Sequence, residues 1–150
     1  MKIKISKVRE DVKIPTRAHS GDAGMDIYYN PENKSEWVSL RPNESYVLQT
    51  GVKIEVPENH MLQIMNKSGI ASKNKLVVGA CVVDHGYDGE LFVNLHNIGK
   101  SKQLIEPGQK IAQAVMLPIV IPDLELTEGD SVYELETARG SGGFGSTGVN

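Results

Sequence analysis

The chain has 150 residues, enough for one domain with a substantial core, and its 39% hydrophobic and 23% charged residues are typical of a globular protein. A net charge of −3 argues against duplex nucleic acid as a partner, and the one cysteine, Cys81, excludes an internal disulfide. The sequence has no signal peptide and no apolar run of membrane-spanning length, so we expect a cytoplasmic protein with neither stable nucleic-acid binding nor a membrane partner.

Short strands account for most of the chain. Residues 2–5, 52–56 and 91–96 alternate apolar and polar side chains, which predicts half-buried strands. Residues 111–117 are nearly all apolar, which predicts a strand buried on both faces. Glycine and proline leave no room for a long helix, and only residues 68–74 suggest a helical turn.

Turn residues separate these strands. Arg-Pro-Asn-Glu at 41–44, Pro-Glu-Asn-His at 57–60 and Glu-Pro-Gly-Gln at 106–109 each predict a tight turn. Many short strands at this spacing predict an all-β sandwich or barrel.

Two polar residues interrupt apolar segments. Asp26, in residues 23–27, is either a turn residue or a ligand for a cationic group. Gln113 carries an amide inside an apolar strand, and a buried amide must find partners on the main chain or on a ligand.

A third segment joins a base, a hydroxyl and a glycine at Lys67, Ser68 and Gly69. If a helical turn begins at Ser68, its hydroxyl is suited to cap the free N–H groups. The same N–H groups could bind a phosphate.

The fourth segment, residues 79–90, predicts a β-hairpin with an acidic tip. Asp84 ends an apolar run, so we expect it to be half-buried and able to act as a general base. His85 is adjacent, but neighbouring strand residues point to opposite faces, so the two are not expected to pair.

The C-terminal segment, residues 139–148, combines five glycines with Arg139, Phe144, Ser146 and Thr147. By composition it is either a disordered end or a lid that closes over a nucleotide. Arginine would bind phosphate oxygens, and an aromatic face would stack on a base.

Residues 23–27, 67–71, 83–89, 108–115 and 139–148 together resemble, in order, the five motifs of the trimeric deoxyuridine triphosphate nucleotidohydrolases, or dUTPases. The Asp-x-x-Tyr-x-Gly segment and the tail carry most of the specificity. The resemblance implies a homotrimer of β-clip, jelly-roll-like barrels with at most one short helix.

In that family three active sites are shared between subunits. One subunit supplies the first, second and fourth motifs, and a neighbour supplies the third. The resemblance therefore implies a barrel domain at residues 1–138 and a flexible glycine-rich arm at 139–150 that closes over a neighbouring subunit's site.

The resemblance also implies a reaction, in which dUTP is hydrolysed to dUMP and pyrophosphate by attack of water on the α-phosphorus. This reaction limits uracil incorporation into DNA and supplies dUMP for thymidylate synthesis. Asp84 resembles the carboxylate that deprotonates the water, and Tyr87 the ring that leaves no space for a 2′-hydroxyl. Asp26 resembles the acid that holds Mg2+ through water, the metal being bound mainly by the triphosphate.

The remaining site residues implied by the resemblance bind the substrate. Main-chain groups of residues 79–92 would read the uracil. Phosphate contacts within the barrel are implied for Lys67, Ser68, Gly69 and Gln113. In the arm, Phe144 would cover the uracil, and the clamp on the substrate comprises Arg139, Gly145, Ser146 and Thr147.

Three positions depart from the commonest family pattern. Lys67 and Asp88 stand where arginine is usual, and Cys81 stands where glycine is common. Lysine replaces a bidentate phosphate fork with a point charge. Cys81 is expected to be a small packed side chain and not a catalyst.

Two other functions fit parts of the sequence. A dCTP deaminase has a related fold, but Asn94 stands where we would align its catalytic glutamate. A nucleotide-dependent regulator that binds a protein partner is the second alternative, and residues 30–38 offer a surface for it. We expect Trp37 in that segment to pack on the barrel. The four histidines lack the spacing of zinc ligands.

Overall fold

The structure, a computed structural model, describes residues 1–142. The chain separates into two compact units, Met1–Val120 and Ile121–Asn150. All strands of the described residues lie in the first unit. They are β1 Ile5–Lys7, β2 Met25–Tyr28, β3 Val38–Leu40, β4 Ser45–Gln49, β5 Val52–Ile54, β6 His60–Met65, β7 Leu76–Val78, β8 Val82–Val83, β9 Phe92–Asn97, β10 Gln103–Ile105 and β11 Lys110–Pro118.

These strands form antiparallel sheets whose neighbours are mostly distant in sequence. One sheet has the order β2-β11-β6-β8, a second has the order β4-β9-β7, and β1-β5 and β3-β10 are two-stranded. Their inward faces share one hydrophobic cluster, in which Ile27, Leu48, Leu62, Val93 and Ile105 are fully buried. The predicted all-β, jelly-roll-like fold is confirmed.

The predicted strands are present, with some changes of bounds. Residues 91–96 correspond to β9, and Leu91, Val93 and Leu95 are buried as the alternation predicts. Residues 52–56 give β5, which ends at Ile54. The prediction for residues 2–5 is wrong in its bounds, because the paired strand begins only at Ile5.

Strand β11 is less buried than its apolar sequence predicts. Ile111, Ala112 and Ala114 are buried, whereas residues 115–117 are only half-buried. The strand lies between β2 and β6, so its edges are covered, but one of its faces carries the polar Gln113.

The three predicted turns are confirmed. Asn43, Asn59 and Gly108 take positive φ values of 66°, 57° and 78° at these places. Asparagine and glycine are the residues that adopt this conformation at least cost. The turns bring the strands back at the spacing that the sequence indicates.

The prediction of a hairpin at residues 79–90 is wrong. Strand β8 pairs with β6, whereas β9 pairs with β4 and β7, so this segment connects two different sheets. Within it Gly86 takes a φ of 85°, which allows a sharp turn. Cys81 is half-buried, as expected of a packed side chain.

One short helix occurs among residues 1–142, a π-helical segment at Ile70–Asn74. The prediction of at most one short helix is confirmed for this part of the chain. The prediction that Ser68 caps it is wrong, because the cap position is Gly69 and no side-chain hydrogen bond caps the segment. Ser68 is exposed instead.

Trp37 does not pack on the barrel as expected, since 53% of its surface is exposed. It immediately precedes β3, whose buried residues Val38 and Leu40 occupy the inward positions.

The π-helical segment is far too short to cross a membrane, and no other described helix is a candidate.

The described part of the C-terminal unit, residues 121–142, contains no strand. It ends in a turn in which Gly140 N donates to Thr137 O and Gly142 N donates to Arg139 O. The proposed boundary between barrel and arm at residues 138 and 139 stays a prediction.

Candidate active site

A pocket of about 240 Å3 opens where β2, β11 and the end of β6 meet. It brings together three of the predicted site residues, Asp26, Lys67 and Gln113. The complete lining is Ala18, Asp22, Ala23, Gly24, Asp26, Lys67 and Gln113.

The register of the sheet explains this meeting. Gln113 lies directly opposite Asp26 on β2 and directly opposite Met65 on β6. Directly opposed residues of antiparallel strands project from the same face. Lys67 follows two residues after Met65, and so returns to the pocket from the other side of β11.

Asp26 is held between two ammonium groups. Its side chain is 6% exposed, and Lys67 Nζ donates a 2.7 Å hydrogen bond to Oδ1. Lys110 Nζ lies 2.6 Å from Oδ2 and forms an ion pair with it, although its approach is not along a hydrogen-bond direction. Burial alone would raise the pKa of Asp26, but the two cations outweigh it and lower the pKa below its ordinary value of 3.8.

Lys110 was not predicted as part of this group. The β2–β11 register shifts between Lys110 and Ala112, so that Lys110 lies opposite Tyr28 while Gln113 lies opposite Asp26. This is the geometry of a β-bulge, in which one strand carries an extra residue. Counting by twos places residues 110 and 113 on opposite faces, and the bulge places them on the same one.

The Gln113 amide is fixed by the main chain. Its Nε2 donates to Asn66 O at 2.9 Å, while the Asn66 side chain accepts from Val78 N at 2.7 Å. The amide also packs against Gly24, where an added Cβ would collide with Gln113 Oε1. The absence of a side chain at Gly24 therefore leaves room for the Gln113 amide in its observed position.

Ser68 and Gly69 border this group and are exposed. Their position next to Lys67 is compatible with binding of a ligand that reaches out of the pocket. Ser68 and Gly69 lie beside the pocket because they follow Lys67 in the chain.

Asp84 and Tyr87 lie elsewhere. Tyr87 lines a groove of about 1260 Å3 that shares no lining residue with the Asp26 pocket. Asp84 is exposed, so the expectation of a half-buried side chain is wrong for the isolated subunit. The reason is that β8 has only two residues and lies at the edge of its sheet.

His85 does not pair with Asp84, as expected. Its Nδ1 lies 2.7 Å from Val56 O, which anchors the segment to the residues after β5. The His85 ring is thus engaged with the main chain of Val56 and not with Asp84.

The register indicates how far apart the two groups lie along the sheet. Val83 pairs with Leu62, so Asp84 leaves β8 at the level of Met61, whereas Gln113 lies at the level of Met65. Four residues of strand span roughly 13 Å, several times the reach of an aspartate side chain. Asp84 and Gln113 of one subunit are therefore well separated along the sheet.

Of the predicted site residues in the arm, Arg139 alone lies among the described residues. Its Nε donates to Gly142 O at 3.0 Å within the C-terminal unit. Phe144, Gly145, Ser146 and Thr147 lie outside the described residues, so their predicted roles stay predictions.

The donor set for a metal is sparse. No group of three metal-binding side chains occurs among residues 1–142. Asp22 and Asp26 line the pocket with carboxylates, the ligand type that Mg2+ prefers, but the ammonium groups on Asp26 oppose direct coordination. The residues fit contact with Mg2+ through water, with most ligands coming from another molecule.

Comparison with known proteins identifies the family. The family model for dUTPase matches residues 10–148. The chain belongs to the dUTPase family. The enzyme is a dUTP nucleotidohydrolase, as the resemblance implied.

Individual relatives agree over nearly the whole chain. The deoxyuridine 5′-triphosphate nucleotidohydrolase of Clostridium novyi is 40% identical, with 99% of this chain and 100% of the relative aligned. That of Clostridium tetani is 41% identical over 97% of this chain and 96% of the relative.

Solved structures agree as well. The Staphylococcus bacteriophage 80alpha dUTPase with dUPNHPP gives a TM-score of 0.86 at 30% identity, with 99% of both chains aligned. A mutant dUTPase from S. aureus phage phi11, described with a coordinated structural Mg(II) ion, gives a TM-score of 0.76 at 28% identity, with 87% of this chain and 100% of that chain aligned.

Family membership decides between the functions left open by the sequence. These relatives are named nucleotidohydrolases, not deaminases, and Asn94 is engaged with His96, whose Nε2 lies 2.7 Å from its Oδ1. A further role as a regulator of a protein partner stays a prediction.

Proposed function

We propose that this enzyme hydrolyses dUTP to dUMP and pyrophosphate in sites assembled from different subunits of a homotrimer. One observation carries the proposal: Asp26, Lys67 and Gln113 share a pocket, while Asp84 and Tyr87 lie at the other end of β6. A complete site needs both groups, so it needs two copies of the chain.

In this arrangement the Asp26 pocket binds the phosphates. Lys67 is 32% exposed and can exchange its bond with Asp26 for a phosphate oxygen, while the Gln113 amide and the N–H groups at Ser68 and Gly69 supply further donors. Lys110 remains on Asp26 when Lys67 moves, so the carboxylate keeps a counter-charge.

The neighbouring subunit supplies the general base. Asp84 is exposed in the isolated subunit, so its carboxylate is free to meet a water molecule and a phosphate held by another copy. It takes the proton of the water that attacks the α-phosphorus, and pyrophosphate leaves. No covalent intermediate on the enzyme is required.

Mg2+ fits this site as a partner of the triphosphate, with Asp26 in contact through water. When bound, it neutralises phosphate charge and orders the triphosphate. The arm, through Arg139, Phe144, Gly145, Ser146 and Thr147, closes over the bound nucleotide and excludes bulk water. We place the enzyme in the cytoplasm, because a reducing compartment keeps its single cysteine, Cys81, in the free thiol form.

Substrate choice is assigned to main-chain groups of residues 79–92 for the base and to Tyr87 for the sugar. Backbone donors and acceptors can match the edge of uracil and leave unpaired groups with cytosine, which penalises the wrong base. In this assignment the Tyr87 ring packs against the deoxyribose and leaves no space for a 2′-hydroxyl.

A nucleotide panel tests this function. With Mg2+, pyrophosphate release from dUTP should exceed release from dCTP, dTTP and UTP by at least about 100-fold. Asp84→Asn serves as the control for background hydrolysis. Equal rates on dUTP and UTP would contradict the role of Tyr87, and ammonia release from dCTP would point to a deaminase.

A further inference from the structure

The hydroxyl end of the Tyr87 ring occupies the space that a side chain at position 89 would fill. A Cβ built on Gly89 would lie 2.5 Å from Tyr87 Cζ and 2.9 Å from Cε2. Real Cβ atoms do not approach other atoms so closely, so any other residue at position 89 would push the ring away. The absence of a side chain at Gly89 is thus a condition for the observed position of the ring.

The edge of the same ring is tied to the next residue. Tyr87 Oη donates a 2.8 Å hydrogen bond to Glu90 O. The ring is 49% exposed and would otherwise be free to change rotamer, since few neighbouring atoms confine it. The close approach to Gly89 and the hydrogen bond to Glu90 O both restrain the hydroxyl end of the ring.

Glu90 is itself anchored to the body of the barrel. Its side chain is 13% exposed, and its Oε1 accepts a 2.7 Å hydrogen bond from Gly51 N. Arg9 Nη2 lies 3.5 Å from the same oxygen and donates to Asn30 O at 2.8 Å. The carbonyl that holds the tyrosine therefore belongs to a residue contacted by two separate segments, at Gly51 and at Arg9.

We propose that Gly89 and Glu90 are specificity-determining positioning residues, which hold the Tyr87 ring in the orientation that sterically excludes ribonucleotides. The inference rests on the proposed role of Tyr87. A steric wall discriminates only if it cannot move, because a ring that rotates away at small cost admits the 2′-hydroxyl. The contacts with Gly89 and Glu90 supply this rigidity, and Arg9 transmits it from the N-terminal segment.

The test compares the ratio of kcat/KM for dUTP to kcat/KM for UTP in the parent and in Gly89→Ala. We expect the ratio to fall at least about tenfold in the variant, the range that a methyl-sized change in a binding wall produces. Gly129→Ala is the matched control, because its added Cβ would find its nearest atom 3.8 Å away, and it should keep the parent ratio.

Tyr87→Phe provides a second reading that does not depend on how Gly89→Ala folds. It keeps the ring on Gly89 and removes only the bond to Glu90 O, so the ratio should fall about threefold, the effect of one hydrogen bond at the lower end of its range. If hydrolysis of UTP is too slow to measure, the ratio of the inhibition constants for dUMP and UMP gives the same comparison between deoxyribose and ribose.

The possible results distinguish the role of Tyr87 from the positioning role of Gly89 and Glu90. A parent enzyme that cleaves dUTP and UTP equally would contradict the proposed role of Tyr87 itself. If the parent discriminates and Gly89→Ala retains the full ratio, only the positioning role is overturned. If Gly89→Ala does not fold, a full ratio in Tyr87→Phe has the same meaning.

Discussion

Lys110 and Gln113 lie on the same face of β11 although they are three positions apart in the sequence. The register shift between Lys110 and Ala112 places Lys110 opposite Tyr28 and Gln113 opposite Asp26. As a result, the strand that supplies the phosphate-binding amide also supplies a counter-charge for the buried carboxylate. Bulges next to active sites commonly redirect a side chain in this way.

The charge group around Asp26 makes stability depend on pH. Because the folded-state pKa of Asp26 is lowered, its ionised form stabilises the fold above its unfolded pKa, and this contribution is lost as pH falls through the folded pKa. The parent should therefore be more stable than Asp26→Asn from pH 7 down to about pH 4, and the gap should narrow at lower pH.

Urea unfolding of both proteins between pH 7 and pH 3 measures this gap. Glu106→Gln, at an exposed position, controls for the loss of one carboxylate. A gap that stays constant down to pH 3 would mean that the lysines do not favour the charged form of Asp26.

Removing the Lys67 charge should weaken substrate binding. We expect Lys67→Met to raise KM for dUTP about tenfold, the typical loss of one charge-assisted hydrogen bond, while Lys67→Arg should hold or lower KM through a bidentate fork. Lys102→Met removes the same charge from an exposed site and should leave KM unchanged. Equal KM values for Lys67→Met and Lys102→Met would exclude Lys67 from phosphate binding.

Asp84→Asn should bind nucleotide normally and turn over slowly. The amide keeps the size of the carboxylate but cannot accept the proton from water, so kcat should fall by at least about 100-fold with little change in dUMP affinity. Single-turnover hydrolysis and dUMP titration separate the two effects. Retained turnover would remove Asp84 as the general base.

Deletion of residues 139–150 should leave the barrel folded, since every described strand ends by Pro118. Hydrolysis of dUTP should fall at least about tenfold because the site no longer closes over the triphosphate. Circular dichroism and sedimentation report folding and assembly of the truncated protein. Full activity after truncation would contradict the role of the arm.

The local patterns of the sequence were sufficient to predict much of the fold. Alternation at residues 91–96 gave β9 with its buried face, and the Asn43, Asn59 and Gly108 turns followed from residues that accept positive φ. These features depend on neighbours in the chain, which the sequence displays directly.

The misses depend on partners that are distant in sequence. The pairing of β8 with β6 could not be read from residues 79–90, which look like a hairpin in isolation. The exposure of Asp84 follows from that edge position, and the role of Lys110 follows from a bulge that breaks the period of two. The prediction that Asp26 and Gln113 belong to one site depended on the family resemblance, because the two residues lie on strands that are distant in the sequence.

Subunit complementation tests the shared site most directly. Asp84→Asn lacks the base, and the double variant Lys67→Met, Gln113→Ala lacks two phosphate contacts, so at dUTP concentrations well below KM each alone should have about a hundredth of the parent activity or less. When equal amounts are unfolded and refolded together, random trimers should recover about a quarter of the parent activity, because every mixed trimer contains one site with both parts intact. The parent refolded in the same way corrects for yield. A mixture no more active than the separate variants would contradict the account, since it would mean that Asp84 acts with the Lys67 and Gln113 of its own subunit.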